Sequence, residues 1–168
     1  RQVVLLQAAE AHRLAGDPAA AQERYIQVRD GAPADPRVPG WLLLIAECDI
    51  ALGRHREAEG GLRFIVDQYP ELPEAERALL RLAADHESQS RWDDAAKVYD
   101  DLMLMYPKST HWVGALLGRG YARFRGGQFG AARRDFEQLL EKFPAADEAE
   151  QAAFLRGWSW ALEGDSRR

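Results

Sequence analysis

Apolar positions recur along the chain with the spacing of amphipathic helices. Between residues 41 and 52 they fall on one helical face, and between residues 56 and 69 they do so again. The apolar residues are Leu42, Ile45, Ala46 and Ile50 in the first stretch and Ala58, Leu62, Ile65 and Val66 in the second. Gly53 separates the stretches as a helix terminator, and Pro70 forces extended geometry on the residue before it. The pattern predicts a helix hairpin.

The same hairpin pattern recurs along the chain at a constant interval of 37 residues. A proline ends each unit, a small residue marks its internal turn, and an Ala followed by a bulky residue four places later lies on its second helix. These positions are Pro33, Pro70, Pro107 and Pro144; Gly16, Gly53, Ser90, Gly127 and Gly164; Ala21, Ala58, Ala95 and Ala132; and Tyr25, Leu62, Tyr99 and Phe136. A small residue one turn before a bulky one lets two helices approach closely and interlock.

This interval sets the domain organisation that we expect. A single domain holds four repeats and a fifth first helix, at about residues 2–37, 38–74, 75–111, 112–148 and 149–164. Because a lone hairpin cannot bury both sides of its helices, successive hairpins must stack. The sequence therefore predicts an all-α fold, a right-handed α-solenoid of stacked helix hairpins with a concave inner surface.

The repeated segments resemble the tetratricopeptide repeat family. Its pattern of Ala and a bulky residue on the second helix appears here as "AQERY", "AEGGL", "AAKVY" and "AARRDF", and its terminal proline as "GAP", "QYP", "MYP" and "KFP". The resemblance covers essentially the whole chain. It implies a non-catalytic scaffold for protein-protein interaction.

Two departures from the usual pattern narrow the resemblance. The interval is 37 residues, whereas tetratricopeptide repeats usually take about 34, and Arg119 and Arg156 each precede a glycine where the family usually has a core Leu. In both features the repeats of this chain are similar to those of bacterial envelope proteins, such as the outer-membrane-protein assembly lipoprotein and the Tol-Pal accessory protein. The resemblance favours a periplasmic or outer-membrane location in a bacterium, with the cytoplasm as the alternative.

The first helices are expected to line the concave groove and to hold the partner-binding residues. We predict that this surface is formed by Leu43, Glu47, Leu80, Glu87, Leu117, Tyr121, Phe124, Arg125, Phe154 and Trp158. The groove would run from acidic at its N-terminal end to aromatic at its C-terminal end. Tyr121, Phe124 and Trp158 would anchor an extended or helical peptide, because aromatic side chains dominate the energetics of interfaces. The alternative is that the leucines only pack adjacent first helices together and that the glutamates are ordinary solvated charges.

Arg119 and Arg156 raise a separate question, because both lie at positions expected in the core. A buried arginine must be paired or must extend to solvent, since lone burial costs several kcal/mol. We favour a structural ion pair with an acid of a nearby helix, and the alternative is that these arginines bind the partner.

Charge and composition exclude several classes of function. The formal net charge of -5 argues against nucleic-acid binding, which requires a basic face. No apolar run is long enough to span a membrane. His12 and His86 lie two repeats apart and cannot share a metal ion. Cys48 occupies a small-residue core position, which favours an inert thiol. With no nucleophile motif and no phosphate-binding or cofactor motif, we expect no catalytic residue, no metal and no cofactor.

The last helix stands apart because its stretch "AAFLRGWSWALEGD" is apolar and is not followed by a second helix. One of its faces would cap the fourth hairpin, and the other, bearing Trp160 or Leu162, would be left uncovered. We therefore expect that the sequence is a fragment that continues past Arg168, or that a neighbouring molecule covers this face. The second case gives the alternative function, a structural spacer or oligomerisation segment of a larger envelope-assembly or polysaccharide-export protein that self-associates through the last helix.

Overall fold

The computed structural model describes residues 2–166 and contains nine α-helices in that range. They are α1 (Gln2–Leu14), α2 (Pro18–Asp30), α3 (Val38–Ala51), α4 (His55–Gln68), α5 (Pro73–Ser88), α6 (Trp92–Met105), α7 (Trp112–Arg125), α8 (Phe129–Lys142) and α9 (Ala149–Ser166). No strand occurs among the described residues. The predicted all-α class is confirmed, and Arg168, past which we expected the chain to continue, lies outside the described range.

Four of the predicted turn residues adopt the same backbone conformation between the two helices of a hairpin. Gly16, Gly53, Ser90 and Gly127 all have positive φ, at 76°, 71°, 57° and 77°. At each turn the following residue donates its N–H to the carbonyl five residues earlier, as Arg91 does to His86 at 2.8 Å. This left-handed helix ending favours glycine. The turn expected at Gly164 is wrong, because α9 runs through that residue to Ser166.

The second helices end where the sequence places an aromatic residue before proline. Tyr69, Tyr106 and Phe143 have φ between -124° and -134° and cap α4, α6 and α8. Each still donates its N–H to the carbonyl four residues earlier, as Tyr69 does to Ile65 at 2.9 Å. The next residue is proline, which lacks an N–H and excludes helical geometry at the residue before it.

The chain divides into two compact units, residues 1–82 and residues 83–168, and the boundary falls within α5. In the first unit α1 packs on α2, α2 on α3 and α3 on α4. One cluster of its core consists of Ala9, Ala21, Tyr25, Ile45 and Cys48. The predicted pair of Ala21 and Tyr25 is therefore fully buried.

In the second unit α6, α7, α8 and α9 pack each on the next. Two glycines of α7 permit this close packing. A Cβ atom on Gly118 would lie 2.5 Å from the ring of Tyr99, and one on Gly120 would lie 2.6 Å from the ring of Phe136. Consecutive helices packed in this way within each unit are the arrangement of a helical solenoid, as the repeat predicted.

Candidate partner-binding surface

In the first unit the predicted surface residues are only partly accessible. Leu43 is 2% exposed, so the prediction that it contacts a partner is wrong. Its side chain packs in the core, as expected under the alternative that this position joins adjacent helices. Leu80 and Glu47 are half-buried.

The acidic character expected for the N-terminal end of the groove is offset by arginines. Glu10 accepts hydrogen bonds from Arg13 at 2.7 and 3.0 Å and from the hydroxyl of Tyr25. Glu47 lies 3.7 Å from Arg81. Both residues line a cavity of about 410 Å³. Both carboxylates are therefore paired with arginines.

Cys48 also lines that cavity but is almost fully buried. Burial raises the pKa of its thiol to about 11, and the neighbouring carboxylates add to the shift. A thiol at that pKa is protonated at neutral pH and is a poor nucleophile. The expected core position of Cys48 is confirmed.

In the second unit Glu87 is half-buried and forms a hydrogen bond with another residue of the chain. Its carboxylate accepts a hydrogen bond of 3.1 Å from the hydroxyl of Tyr99. Burial raises the pKa of the Glu87 carboxyl, and the hydrogen bond from Tyr99 opposes that shift in part. This hydrogen bond joins α5 to α6.

Tyr121 and Arg125 belong to a cluster with Trp92, which sequence reasoning missed. The Arg125 guanidinium lies 4.5 Å from the centre of the Trp92 ring and 5.7 Å from that of Tyr121, and it donates a hydrogen bond of 2.8 Å to the Tyr121 hydroxyl. The two rings meet edge to face at 6.2 Å. Phe124 packs in a similar way against Phe129 at 5.7 Å.

A repeat position could have revealed both of these partner rings. Trp92 and Phe129 are the first residues of α6 and α8, one interval of 37 residues apart. A large ring directly after the turn lies close to the end of a first helix. The signal was the recurrence of an aromatic residue at that position.

The predicted groove residue Phe154 and the predicted anchor Trp158 are exposed on α9, at 64% and 50%, and their rings lie 6.2 Å apart. They occupy the repeat positions of the half-buried Leu117 and Tyr121 on α7, and α7 contacts α9. We call Leu117, Tyr121, Phe154 and Trp158 the aromatic strip. It is an apolar surface carried by two neighbouring helices.

Arg119 lies in an ion-pair network and not in the strip. It donates to Asp135 at 2.7 and 3.2 Å and also to Asp100, so it joins α7 to both α6 and α8. Arg123 donates to both oxygens of Asp135 at 2.7 and 2.9 Å. These bonds to its acids raise the pKa of Arg119 despite its burial. The favoured structural role is confirmed for Arg119, and Arg156 is half-buried on α9.

The structure also bears on metal binding and on membrane insertion. Within residues 2–166 no three histidine, cysteine, aspartate or glutamate side chains are grouped so that they could hold a metal ion. In the same range no helix has both the length and the apolar character of a membrane span.

Comparison with known families identifies two repeats. The tetratricopeptide repeat model matches residues 77–109 and 114–146. Comparison with curated protein sequences gives no significant match.

Three of the solved structures that resemble this chain cover nearly all of it. A tetratricopeptide repeat protein from Parabacteroides merdae ATCC 43184 is 18% identical with a TM-score of 0.75, over 98% of this chain and 62% of its own. BtubC (BKLC) from P. vanneervenii is 16% identical with a TM-score of 0.72, over 94% of this chain and 70% of its own. MamA from Desulfovibrio magneticus RS-1 is 15% identical with a TM-score of 0.64, over 98% of this chain and 96% of its own.

These matches support the tetratricopeptide resemblance and the helical-solenoid fold. The identities are so low that the likeness to solved structures concerns the fold alone, and this chain spans 62% of the length of the Parabacteroides merdae protein. Neither comparison supports the narrower resemblance to bacterial envelope proteins. The periplasmic or outer-membrane location stays a prediction.

Proposed function

We propose that this protein is a non-catalytic scaffold for protein-protein interaction that binds a partner segment along the aromatic strip. The tetratricopeptide fold implies protein partners. The observation that carries the choice of surface is the exposure of Phe154 and Trp158, two large rings on one helix. Rings exposed in this way contribute much binding energy when a partner removes them from water.

The neighbouring Arg125 adds an ordered polar group beside the strip. Its guanidinium is held by Trp92 and by the hydroxyl of Tyr121, so little side-chain entropy remains to be lost when a ligand binds. An arginine fixed in this way can donate paired hydrogen bonds to a carboxylate. We therefore propose that the bound segment carries apolar side chains for Phe154 and Trp158 and an acidic group for Arg125.

Selection from a random peptide display library on the purified protein tests this proposal. We expect selected peptides to be rich in apolar and acidic residues. Trp158→Ala should weaken their binding about 30-fold, the loss of a central aromatic anchor. Because Trp158 is half exposed, this substitution should leave the folded state intact, which circular dichroism can verify.

Leu104→Ala is the matched control, since Leu104 is a large apolar residue of α6 that is highly exposed and lies outside the strip. It should leave peptide binding unchanged. The proposal is wrong if the selected peptides bind Trp158→Ala and Phe154→Ala as tightly as they bind the unaltered protein. Binding that is lost in Leu104→Ala would place the partner on another surface.

A further inference from the structure

A cavity of about 420 Å³ lies within the first unit and is lined by residues of α1, α3 and α5 and of the loop before α3. We call it the first-unit cavity. Its volume is in the range of small-molecule sites, which take about 300–1,000 Å³. Leu6, Trp41 and Leu44 give it an apolar wall, and four charged side chains also line it.

Two of these four charges are neutralised by other residues of the chain. Glu10 accepts hydrogen bonds from Arg13 and from the hydroxyl of Tyr25. Arg37 donates to the two carboxylate oxygens of Asp35 at 2.9 and 2.7 Å. Neither Glu10 nor Arg37 therefore requires a further partner of opposite charge.

The other two charges, on Glu74 and Arg77, are opposite in sign and lie nearly one turn apart on α5. They form no ion pair with each other or with any other residue that the structure describes. Glu74 is half-buried and Arg77 is exposed. A ligand that carries one positive and one negative group can contact both side chains at once.

The repeat pattern indicates that this pair is not needed for packing. The other first helices carry Gly40, Gly114 and Gln151 at the position of Arg77, so no arginine recurs there. Gly40 also lines the cavity, and a Cβ atom on it would lie 4.0 Å from a carboxylate oxygen of Glu74. The absence of a side chain at Gly40 therefore leaves that carboxylate accessible from the cavity.

We propose that the first-unit cavity binds a free α-amino acid with an apolar side chain. The carboxylate of the ligand accepts hydrogen bonds from Arg77, its ammonium group donates to Glu74, and its side chain packs against the apolar wall. Both charges of the ligand are then paired, which offsets the cost of removing them from water. This proposal does not rest on the proposed function, because every residue of the aromatic strip belongs to the second unit.

Isothermal titration calorimetry on the full chain tests the proposal with four free amino acids, L-leucine, L-isoleucine, L-methionine and L-phenylalanine. We expect saturable binding of at least one of them, with one ligand per protein. Its N-acetyl derivative lacks the ammonium group and its carboxamide lacks the carboxylate. Each derivative should bind about tenfold more weakly or worse, because each loses a charge-assisted contact.

Two substitutions in the protein test the same contacts from the other side. Arg77→Gln and Glu74→Gln should each reduce affinity about tenfold or more. Glu148→Gln is the matched control for the acid, since Glu148 has the same repeat position, is also half-buried and lies 3.8 Å from where a Cβ atom of Gly114 would be.

Arg134→Gln is the matched control for the arginine. Arg134 is exposed on α8 and, like Arg77, forms no ion pair with another described residue. Both control variants should bind the amino acid as the unaltered protein does. Circular dichroism should show the same helical content in all four variants.

Three results would overturn the proposal. The first is no saturable binding of any of the four amino acids, and the second is equal affinity for the Arg77→Gln and Arg134→Gln proteins. The third is tighter binding of the N-acetyl derivative or of an unblocked dipeptide, because the site would then recognise a peptide end. None of these results would change the binding of peptides selected on the aromatic strip, or its loss in Trp158→Ala.

Discussion

Asp135 of α8 is the most buried acid of the ion-pair network that joins α6, α7 and α8. Replacing it tests how much this network contributes to stability. Its side chain is only 4% exposed and receives hydrogen bonds from Arg119 and Arg123. Asp100 meets the same two arginines but is 45% exposed. The two acids therefore share their partners and differ in their access to solvent.

The free energy of unfolding should respond very differently to the loss of each acid. Asp135→Ala leaves two mostly buried guanidinium groups without their main acid, and removing one partner of a buried pair costs about 3–5 kcal/mol. Asp100→Ala removes a pair that water already screens, which costs about 0–1 kcal/mol. The second substitution is the matched control, because it deletes the same chemical group from the same network.

Urea denaturation followed by tryptophan fluorescence measures the difference. Trp92, Trp112, Trp158 and Trp160 lie in the second unit, so the signal reports mainly on that unit. With a urea dependence of about 2 kcal/mol per molar, the midpoint should fall by about 1.5–2.5 M in Asp135→Ala and by less than about 0.5 M in Asp100→Ala. Equal shifts in the two variants would refute the reasoning.

Three further substitutions test the turn, the helix contact and the buried acid. Ser90→Gly should raise the free energy of unfolding by about 1 kcal/mol, because Ser90 has a φ of 57°; an unchanged urea midpoint would contradict this. Gly118→Ala should cost about 1–3 kcal/mol, since its Cβ would lie 2.5 Å from the ring of Tyr99, whereas the control Gly60→Ala should be neutral or slightly stabilising. Burial raises the pKa of Glu87 above its ordinary 4.5, so the folded protein holds a proton that the unfolded chain releases, and stability falls as pH rises from 4.5 through that raised pKa. Glu87→Gln should remove this loss. The urea midpoint of the variant should therefore exceed that of the unaltered protein at pH 8 but not at pH 4.

The repeat pattern predicted the backbone well because it depends on local rules. Positive φ at Gly16, Gly53 and Gly127 follows from the conformational freedom of glycine, and each helix stop before proline follows from sterics. The turn expected at Gly164 failed because a glycine ends a helix only where that ending is more stable than another helical turn, and α9 continues through it.

The candidate surface was harder to predict because exposure depends on neighbouring helices and not on repeat position alone. Leu43 and Phe154 occupy the same position, yet one is 2% exposed and the other 64%. Trp92 was missed because its contact with Tyr121 joins residues far apart in sequence. Periodicity identifies which residues are equivalent, but the packing around each of them decides whether it is accessible.

Arg123 and Trp160 show how this distinction bears on function. They share a repeat position, but Arg123 is committed to Asp135 inside the second unit, whereas Trp160 stacks on Arg133 and keeps more than half of its surface exposed. An arginine at this position requires an acid on the covering helix, and a tryptophan does not.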